Sequence, residues 1–223
     1  ADVAYADADP DAATDAAAAT GGRVVELDTE ERFDVVCLAV PIPAVADAIE
    51  SHAGRAERAL LDVSGVMEPA VSAMRDHAPD RERVSLHPLF AADAAPGRVA
   101  VVADAPGPVT DAIRRTLTEQ GNHLFETTPE EHDRAMGTVQ ARTHAAVLAY
   151  ALAGESVREE FHTPVSRALS DLVDRVTGGT PRVYADIQSA FDGAEDVAAA
   201  ARRIADADDE AFAALYREAG GRE

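Results

Sequence analysis

The order in which the predicted elements follow one another constrains the fold of this chain more than any other feature. Short apolar runs bounded by turn residues predict strands at residues 2–7, 23–27, 34–41, 59–65, 83–87, 98–102 and 123–127. Segments with helical character first alternate with these strands and then continue alone, at residues 11–20, 42–52, 68–77, 108–120, 129–153, 164–176, 182–191, 194–207 and 209–219. Alternation of this kind is typical of a parallel sheet with crossover helices. The predicted fold class is therefore α/β, with a Rossmann-like parallel-sheet domain in residues 1–127 and an all-helical domain in residues 128–223.

The charge balance limits the partners of this chain. Its 223 residues include 41 Asp and Glu against 20 basic residues, all of them arginine, which gives a net charge of −21. Such a balance argues against nucleic acid and anionic membranes as partners. The chain is either a disordered acidic protein or a folded, halophilic one, and the apolar residues that recur between the acids favour the folded protein. Molar salt shortens the Debye length to about 3 Å, so low salt is expected to destabilise it.

The single cysteine and the hydropathy of the chain bear on its location. Cys37 is the only cysteine, which excludes an internal disulfide and fits a reducing compartment. Because Cys37 lies in an apolar run, we predict a small core residue there. No cationic stretch precedes an apolar segment at the start, and no run approaches the roughly 20 apolar residues of a membrane span. The expected location is the cytoplasm.

His87 ends a short apolar run and is followed at once by Pro88. Proline cannot continue a central strand, so His87 is predicted at the carboxyl end of a buried strand. In open α/β sheets that edge binds ligands, and a histidine there can accept a proton from a substrate hydroxyl. The alternative is a histidine that bonds a nearby carbonyl at the strand end.

Asp7 ends the first predicted strand, where dinucleotide-binding folds place an acid that bonds the ribose hydroxyls of NAD and disfavours NADP. Acids are frequent in this chain, so the signal is weak by itself. The glycine-rich turn expected one strand and one helix earlier does not precede Asp7 in this sequence. Either the sequence begins after that turn or the pyrophosphate site is incomplete.

Two further positions lie near the predicted edge. Ser64 follows a strand expected beside that of His87, so its hydroxyl could fix the imidazole tautomer, although a tight strand-to-helix turn explains it equally well. His132 lies in the first turn of a helix, where an anionic or hydroxyl-bearing substrate is favoured, or it is a surface or interface histidine. His144, which we expect to pack internally, is too far along the helix to share a metal with His132.

Arg167 and Arg175 stand on one predicted helix with Asp171 midway between them. Their spacing fits an ordinary ladder of ion pairs. It also fits two guanidinium groups that bind a substrate carboxylate. Spacing alone favours the ladder.

Six segments together resemble the prephenate dehydrogenase family along nearly the whole chain. They are DVVCLAVP at 34–41, DVSGVM at 62–67, LHPLF at 86–90, EHDRAMGTVQARTH at 131–144, the helix at 164–175 and YADI at 184–187. The resemblance implies a nucleotide-binding domain joined to a helical dimerisation domain, and hence a homodimer formed through the helical half. It implies NAD as cofactor and prephenate as small-molecule substrate, with hydride transfer and loss of carbon dioxide to give 4-hydroxyphenylpyruvate in tyrosine biosynthesis.

The resemblance also implies roles for individual residues. His87 matches the catalytic histidine that bonds the substrate hydroxyl, and His132 matches a histidine near the substrate. Arg175 matches an arginine that binds a substrate carboxylate, and Arg167 matches another arginine of that helix. Cofactor contacts are expected at three positions that border the nucleotide site, Asp7, Val40 and Pro41.

This sequence departs from the family pattern after the 59–65 strand, where the family usually has Ser-Ser-Val-Lys and this chain has Ser64-Gly65-Val66-Met67. Gly65 therefore occupies the position of the serine that, in the family, bonds the catalytic histidine. We expect the Ser64 hydroxyl to form that bond instead. Arogenate as substrate and NADP as cofactor stay open. Two other classes of function also stay open: a non-catalytic dimeric module that binds an aromatic metabolite, and a metal-dependent phosphohydrolase of the HD type, suggested by His132 and Asp133.

Overall fold

The computed structural model describes residues 2–91 and 94–221. Its strands are β1 Ala4–Tyr5, β2 Arg23–Val24, β3 Phe33–Leu38, β4 Ala56–Asp62, β5 Glu82–Pro88, β6 Arg98–Ala105 and β7 His123–Glu126. Its helices are α1 Pro10–Thr20, α2 Val45–His52, α3 Glu68–His77, α4 Pro108–Glu119, α5 Pro129–Met136, α6 Thr143–Ala153, α7 Pro164–Thr177, α8 Pro181–Ala190, α9 Ala194–Ala205 and α10 Asp209–Gly220. The predicted order is confirmed, and the boundaries differ by a few residues.

Short sequence signals explain where the helices begin and end. The Asp9 carboxylate accepts a hydrogen bond from the backbone N–H of Asp11 and caps α1, which ends at Gly21 in the left-handed conformation with φ of 74°. The Thr128 hydroxyl oxygen accepts from the backbone N–H of Glu131 and caps α5. This second cap fixes the point at which the chain changes from alternating strands and helices to helices alone.

Five strands form one sheet in the order β3-β4-β5-β6-β7, and β1 and β2 form a separate parallel pair. Neighbours in the larger sheet are parallel except β5 and β6, which run antiparallel. A parallel connection needs a crossover of about a dozen residues or more, usually through a helix. In the described residues no α-helix lies between β5 and β6, so the chain reverses direction there.

Strand β3 is an edge strand rather than a central one. Only Leu38 of its six residues is buried, so the prediction that this run is buried on both faces is wrong. Cys37, predicted as a core residue, is exposed. The reason is topological: β3 pairs only with β4 among the described strands, and β1 pairs only with β2.

The core covers both faces of the larger sheet, because successive residues of a strand point to opposite faces. On one face, Leu60 packs with Ile49 of α2 and Met74 of α3. On the other face, Leu61 and Val101 pack against the apolar residues of α4. The sheet is therefore a layer between helices, as expected for an α/β domain.

The cluster on the α2 and α3 face continues into the helical half. Met136 and Ala141 from the long helical segment and Ile187 and Phe191 from the α8 region belong to the same group of buried side chains. Residues on the two sides of the predicted boundary at 127/128 thus share one apolar core. This shared packing fixes where α5 lies against the sheet.

The predicted single helix at 129–153 contains a π-helical segment. Residues Gly137–Arg142 have π geometry between α5 and α6, and the side-chain amide of Gln188 donates to the carbonyl oxygen of Ala141 within this segment. Segments of this kind are often found at functional sites. No helix within residues 2–91 and 94–221 is both long and apolar enough to cross a membrane.

Candidate active site

His87 lies near the carboxyl end of β5, as predicted, and only 8% of its surface is exposed. The adjacent strand β4 is parallel and pairs Asp62 with Ser85, so the ends of both strands reach the same edge of the sheet. Ligands bind at this edge in open α/β sheets. The imidazole therefore lies where a substrate cleft is expected.

Three side chains, Asp133, His132 and His87, form a connected triad. His87 Nδ1 lies 2.8 Å from His132 Nε2, and His132 Nδ1 lies 2.7 Å from Asp133 Oδ1. The first two rings meet edge to face with centroids 5.0 Å apart. Asp133 also accepts hydrogen bonds of 3.0 Å from the backbone N–H groups of Met67 and Glu68 at the start of α3. The triad thus joins the sheet edge to the first turn of α5.

The triad constrains where the ring protons lie. An ionised carboxylate only accepts hydrogen bonds, so His132 Nδ1 donates to Asp133. When His132 is neutral, its Nε2 is then an acceptor, and His87 Nδ1 must donate to it. In that arrangement His87 Nε2 carries a lone pair and is free to accept a proton.

The pKa values of His87 and Asp133 agree with this arrangement. Burial lowers the pKa of His87 to about 4, and nearby His132 acts in the same direction, against the opposing effect of Asp133. Burial alone would raise the pKa of Asp133, but hydrogen bonds from His132, Glu68 and Met67 outweigh it and hold that pKa below its usual value. At neutral pH His87 is therefore an uncharged imidazole and Asp133 is a carboxylate.

Gly65 lies against the free nitrogen of His87. A Cβ atom placed on Gly65 would lie 3.4 Å from His87 Nε2, and Gly65 has φ of 91°. A side chain at this position would be strained in the left-handed region. The turn after β4 therefore supplies no side chain to His87, and only a glycine backbone faces the ring.

The hydrogen bond expected from Ser64 to His87 is not formed. The Ser64 hydroxyl is buried without a hydrogen-bond partner among the described residues, because it is Gly65 that lies beside the imidazole. The backbone N–H of Ser64 instead donates to Asp62, which also accepts from the hydroxyl of Ser85. Burial raises the pKa of Asp62 to about 6, although these hydrogen bonds oppose the rise.

The two arginines of α7 do not form the ion-pair ladder that their spacing suggests. Arg167 pairs with Glu159 at 3.1 Å rather than with Asp171. Arg175 is exposed, and its side chain has no hydrogen bond or ion pair to any residue within 2–91 and 94–221. The structure of one copy brings neither arginine into contact with His87, so their assignment to the substrate stays a prediction.

The predicted cofactor residues lie at the ends of two strands that belong to different sheets. Asp7 is exposed, and its Oδ1 accepts a 2.8 Å hydrogen bond from the backbone N–H of Asp9. Val40 is half-buried against the core, and Pro41 precedes a short 3-10 turn that begins at Ile42. All three predicted residues follow the carboxyl end of a parallel strand, which is the correct end for a nucleotide.

Sequence reasoning missed Asp133 as a site residue. The adjacent His-Asp pair was visible, but it suggested a metal ligand rather than a hydrogen-bonded partner. The contact from Asp133 to Met67 spans 66 positions of sequence and could not be inferred from spacing. His144 packs edge to face on Tyr184, and its buried Nδ1 has no described partner.

The structure gives no support to a metal site at His132 and Asp133. Both ring nitrogens of His132 are already hydrogen-bonded, one to His87 and one to Asp133. No group of three or more His, Cys, Asp or Glu side chains suited to a metal occurs in the part of the chain that the structure describes.

Sequence comparison places the two halves in one family. The sequence model of the prephenate dehydrogenase nucleotide-binding domain matches residues 2–103, and that of the prephenate dehydrogenase dimerization domain matches residues 128–214. The chain belongs to the prephenate dehydrogenase family. Its resemblance to that family in sequence motifs is thereby confirmed.

Two curated relatives show the spread of activities among similar proteins. The 4-amino-4-deoxyprephenate dehydrogenase of Streptomyces pristinaespiralis is 35% identical, over 92% of this chain and 79% of that protein. The probable arogenate/prephenate dehydrogenase of Methanocaldococcus jannaschii is 26% identical, over 73% of this chain, which matches 40% of that longer protein. Membership of the family therefore leaves the substrate to be decided.

Solved structures of the family have the same fold. Prephenate dehydrogenase from A. aeolicus, in complex with hydroxyphenyl propionate and NAD+, superposes with a TM-score of 0.72 at 15% identity, over 99% of this chain and 83% of that one. Arogenate dehydrogenase from Synechocystis gives 0.59 at 17% identity, over 99% and 89%. These matches confirm the α/β domain followed by a helical domain.

Proposed function

We propose that this protein is an NAD-dependent dehydrogenase that oxidatively decarboxylates prephenate or a closely related cyclohexadienyl compound. The observation that supports it best is the buried triad, which presents an uncharged His87 with a free Nε2 at the carboxyl edge of the sheet. An acceptor of this kind suits a substrate that carries a hydrogen-bond donor on the carbon to be oxidised. For prephenate the pathway is tyrosine biosynthesis, as the sequence resemblance implies.

The proposed reaction requires little movement of protons. NAD, when bound, supplies the acceptor for the hydride that leaves the ring carbon bearing the hydroxyl. The bond from the ring to its carboxylate breaks, carbon dioxide leaves, and the electron pair completes the aromatic ring. His87 Nε2 accepts a hydrogen bond from the substrate hydroxyl and stabilises the positive charge that develops there as the hydride departs. The phenolic product keeps its proton.

The residues present fit parts of an NAD molecule. Asp7 at the end of β1 can bond the adenosine ribose, and Val40 and Pro41 after β3 can border the dinucleotide. The described residues include no glycine-rich turn for the pyrophosphate ahead of Asp7. In the doubly wound strand order, the strand that carries this turn lies in space between the strand that ends in the acid, here β1, and the strand that corresponds to β3. Among the described strands, none joins β1 to β3 at this place.

Substrate carboxylates require cations, which we assign to the helical half. Arg175 is the stronger candidate because its guanidinium group has no described partner, whereas Arg167 is paired with Glu159. A guanidinium fork suits bidentate binding of a carboxylate. His132 is proposed to act on His87 rather than on the substrate, because both of its ring nitrogens are occupied.

A second candidate substrate carries an amino group in place of the ring hydroxyl. It is favoured by the 35% identity to the 4-amino-4-deoxyprephenate dehydrogenase and by Gly65, which leaves no side chain beside His87 Nε2. A free imidazole nitrogen accepts hydrogen bonds from N–H and O–H donors alike. An ammonium form of this substrate must also lose one proton, for which His87 Nε2 is placed.

The helical half is proposed to form a homodimer, because one copy leaves many apolar side chains of its helices exposed. They include Leu152 at 87%, Tyr216 at 74%, Val165 at 71% and Phe161 at 67%. A stable soluble protein rarely leaves so much apolar surface uncovered. The matched dimerization domain supports the same proposal.

The test is to incubate the protein at molar salt with NAD and one substrate at a time. The three substrates are prephenate, arogenate and 4-amino-4-deoxyprephenate. We expect nicotinamide absorbance to rise with one of them, and mass spectrometry to find the aromatic product and released carbon dioxide. NADP in parallel tests the cofactor preference. Folded, dimeric protein that binds an aromatic acid but produces no reduced cofactor with any substrate would instead support the non-catalytic module.

A further inference from the structure

Asp133 is held more firmly than a carboxylate near the start of a helix requires. Its Oδ1 accepts hydrogen bonds from His132 Nδ1 at 2.7 Å and from the Met67 N–H at 3.0 Å, and its Oδ2 accepts from the Glu68 N–H at 3.0 Å. Two of these donors belong to the start of α3, in the other half of the molecule. The positive end of that helix favours an ionised carboxylate. Asp133 does not contact His87 itself.

We propose that Asp133 is a positioning residue: acting through His132, it holds His87 in the tautomer whose Nε2 is free to accept a proton. The catalytic consequence rests on the proposed function, whereas the tautomer is a property of the protein without substrate. No side chain of the turn after β4 fixes the ring from the Nε2 side, because Gly65 lies there. The triad orients the ring from its opposite side.

Other groups near His87 cannot take the place of Asp133. Asp62, the other carboxylate at this edge, is occupied by the Ser64 N–H and the Ser85 hydroxyl. His87 Nδ1 bonds only to His132 among the described residues. The tautomer of His87 therefore depends on which nitrogen of His132 carries the proton, and Asp133 decides that.

The arrangement also requires that the two halves of the protein be in contact. The N–H groups of Met67 and Glu68 orient the carboxylate, and those groups belong to the sheet half. His132 and Asp133 belong to α5 of the helical half. His87 therefore has a free Nε2 only while α5 is packed against α3.

Asp133→Asn is the informative substitution because it keeps the shape and removes one acceptor. Each carboxylate oxygen now accepts from at least one N–H group, so either orientation of an asparagine amide turns its NH₂ towards a donor. With the NH₂ directed at His132 Nδ1, the proton of His132 moves to Nε2. His87 Nδ1 then becomes the acceptor, and His87 Nε2 carries the proton.

The first measurement is nitrogen-15 NMR of the ring nitrogens in the intact protein, labelled at histidine, at neutral pH without substrate or NAD. We expect His87 to be protonated at Nδ1 and bare at Nε2 in the wild type, and the reverse in Asp133→Asn. Assignment uses His87→Asn and His132→Gln. A wild-type His87 protonated at Nε2, as a charged His132 would produce, overturns the proposal. So does an unchanged tautomer in both Asp133→Asn and Asp133→Leu, because leucine offers His132 no acceptor in any orientation.

The second measurement is steady-state kinetics. Asp133→Asn is expected to lower kcat by about 10²-fold, the scale of one lost hydrogen bond that stabilises charge in the transition state, with KM changed little. In a His87→Asn background the same substitution should cost nothing further, because Asp133 acts only through His87. Equal losses in both backgrounds overturn the proposal.

The matched control is Glu82→Gln. The Glu82 carboxylate accepts hydrogen bonds from the Val109 and Thr110 N–H groups at the start of α4, both at 2.8 Å, but touches no histidine. Glu82→Gln should lower the free energy of unfolding much as Asp133→Asn does, and should leave kcat and the His87 tautomer unchanged. If wild type produces no reduced cofactor with any substrate, the proposed function fails, while the NMR result on Asp133 still stands or falls separately.

Discussion

The two halves of this molecule differ in how many of their apolar side chains are buried within a single copy. In the sheet half, Ile49, Leu60 and Met74 are fully buried and form a core between strands and helices. In the helical half, α7, α9 and α10 have no buried residue, and Leu152 of α6 is 87% exposed. The sheet half thus supplies a rigid support for His87, whereas the helical half leaves apolar surface uncovered in one copy, which agrees with the proposed homodimer.

This contrast assigns different tasks to the halves. A catalytic acceptor has to be held within a fraction of an ångström, which a packed strand end can do. The arginines and the assembly surface that we propose for the helical half tolerate more movement. Substitutions in the sheet half should therefore act on kcat and on the stability of each protomer, and those in the helical half on KM and on assembly.

The largest effect is expected for His87→Asn. Removing the hydrogen-bond acceptor should lower kcat by about 10²- to 10³-fold with little change in KM, since the hydrogen bond strengthens only in the transition state. Initial rates of cofactor reduction give both constants. His123→Asn, at an exposed histidine that starts β7, is the control. A rise in KM with unchanged kcat would contradict the catalytic role.

The next largest effect is expected on the free energy of unfolding, and it is tested by substituting one leucine in each half. Leu60→Ala, in the sheet core, should lower the free energy of unfolding by about 2–5 kcal/mol at every protein concentration. Leu152→Ala, on the exposed face of α6, should lower stability only at concentrations where the dimer forms. Urea titrations at several protein concentrations test both. A concentration-independent loss at Leu152 would show that the two halves do not differ in this way.

Arg175→Ala should raise KM by about 10- to 100-fold, the equivalent of one lost charge-assisted hydrogen bond of about 1.5–3 kcal/mol. The kcat value should change far less, because the substrate carboxylate is bound in both the ground and the transition state. Arg203→Ala is the control, at an arginine that pairs with Glu218 between α9 and α10. Unchanged KM in Arg175→Ala would remove Arg175 from the site.

The site was accessible from the sequence in part. The proline that ends the β5 run located His87 at the sheet edge, and the alternation of elements gave the fold class, both confirmed by the structure. The exposure of β3 could not be predicted, because an apolar run does not reveal whether a strand is paired on one side or both. The role of Ser64 was also inaccessible, because the left-handed backbone at Gly65 decides which residue faces the imidazole.

A smaller effect concerns pH, and it isolates two buried groups of the sheet half. His87 has a folded pKa of about 4, below its unfolded value, so its contribution to stability is present above about pH 6.5 and is lost as pH falls towards 4. Asp62 has a folded pKa of about 6, above its unfolded value, so its contribution is present below about pH 4 and is lost as pH rises through 6. The two slopes oppose each other between about pH 4 and 6.

Single substitutions should expose these opposing slopes. Relative to wild type, Asp62→Asn should become less stable as pH falls from 6 to 4, by up to about 1.4 kcal/mol per pH unit. His87→Asn should show the opposite trend in the same window. Urea unfolding at a series of pH values gives the differences. Parallel curves for the three proteins would mean that neither group titrates with the shifted pKa.

The smallest effect is expected from salt between moderate and molar concentrations. With a net charge of −21, screening should raise the melting temperature and favour the dimer, because exposed carboxylates repel one another both within and between copies. Calorimetry and light scattering in potassium chloride measure the two outcomes. Salt-independent melting and assembly would contradict the proposed adaptation to high salt.

The π-helical segment Gly137–Arg142 ties the chemistry to the rotational phase of one long helix. Each residue of an α-helix advances the chain by about 100°, and a π turn holds one residue more than an α turn. Because the extra residue is taken up within one turn, the helices on either side keep their alignment, whereas the same residues in regular α geometry would rotate α5 by about 100° against α6. His132 and Asp133 would swing away from His87 although every member of the triad was still present. The π turn thus sets which side of α5 meets the sheet edge, and straightening it into an α-helix would separate the triad although no residue was lost.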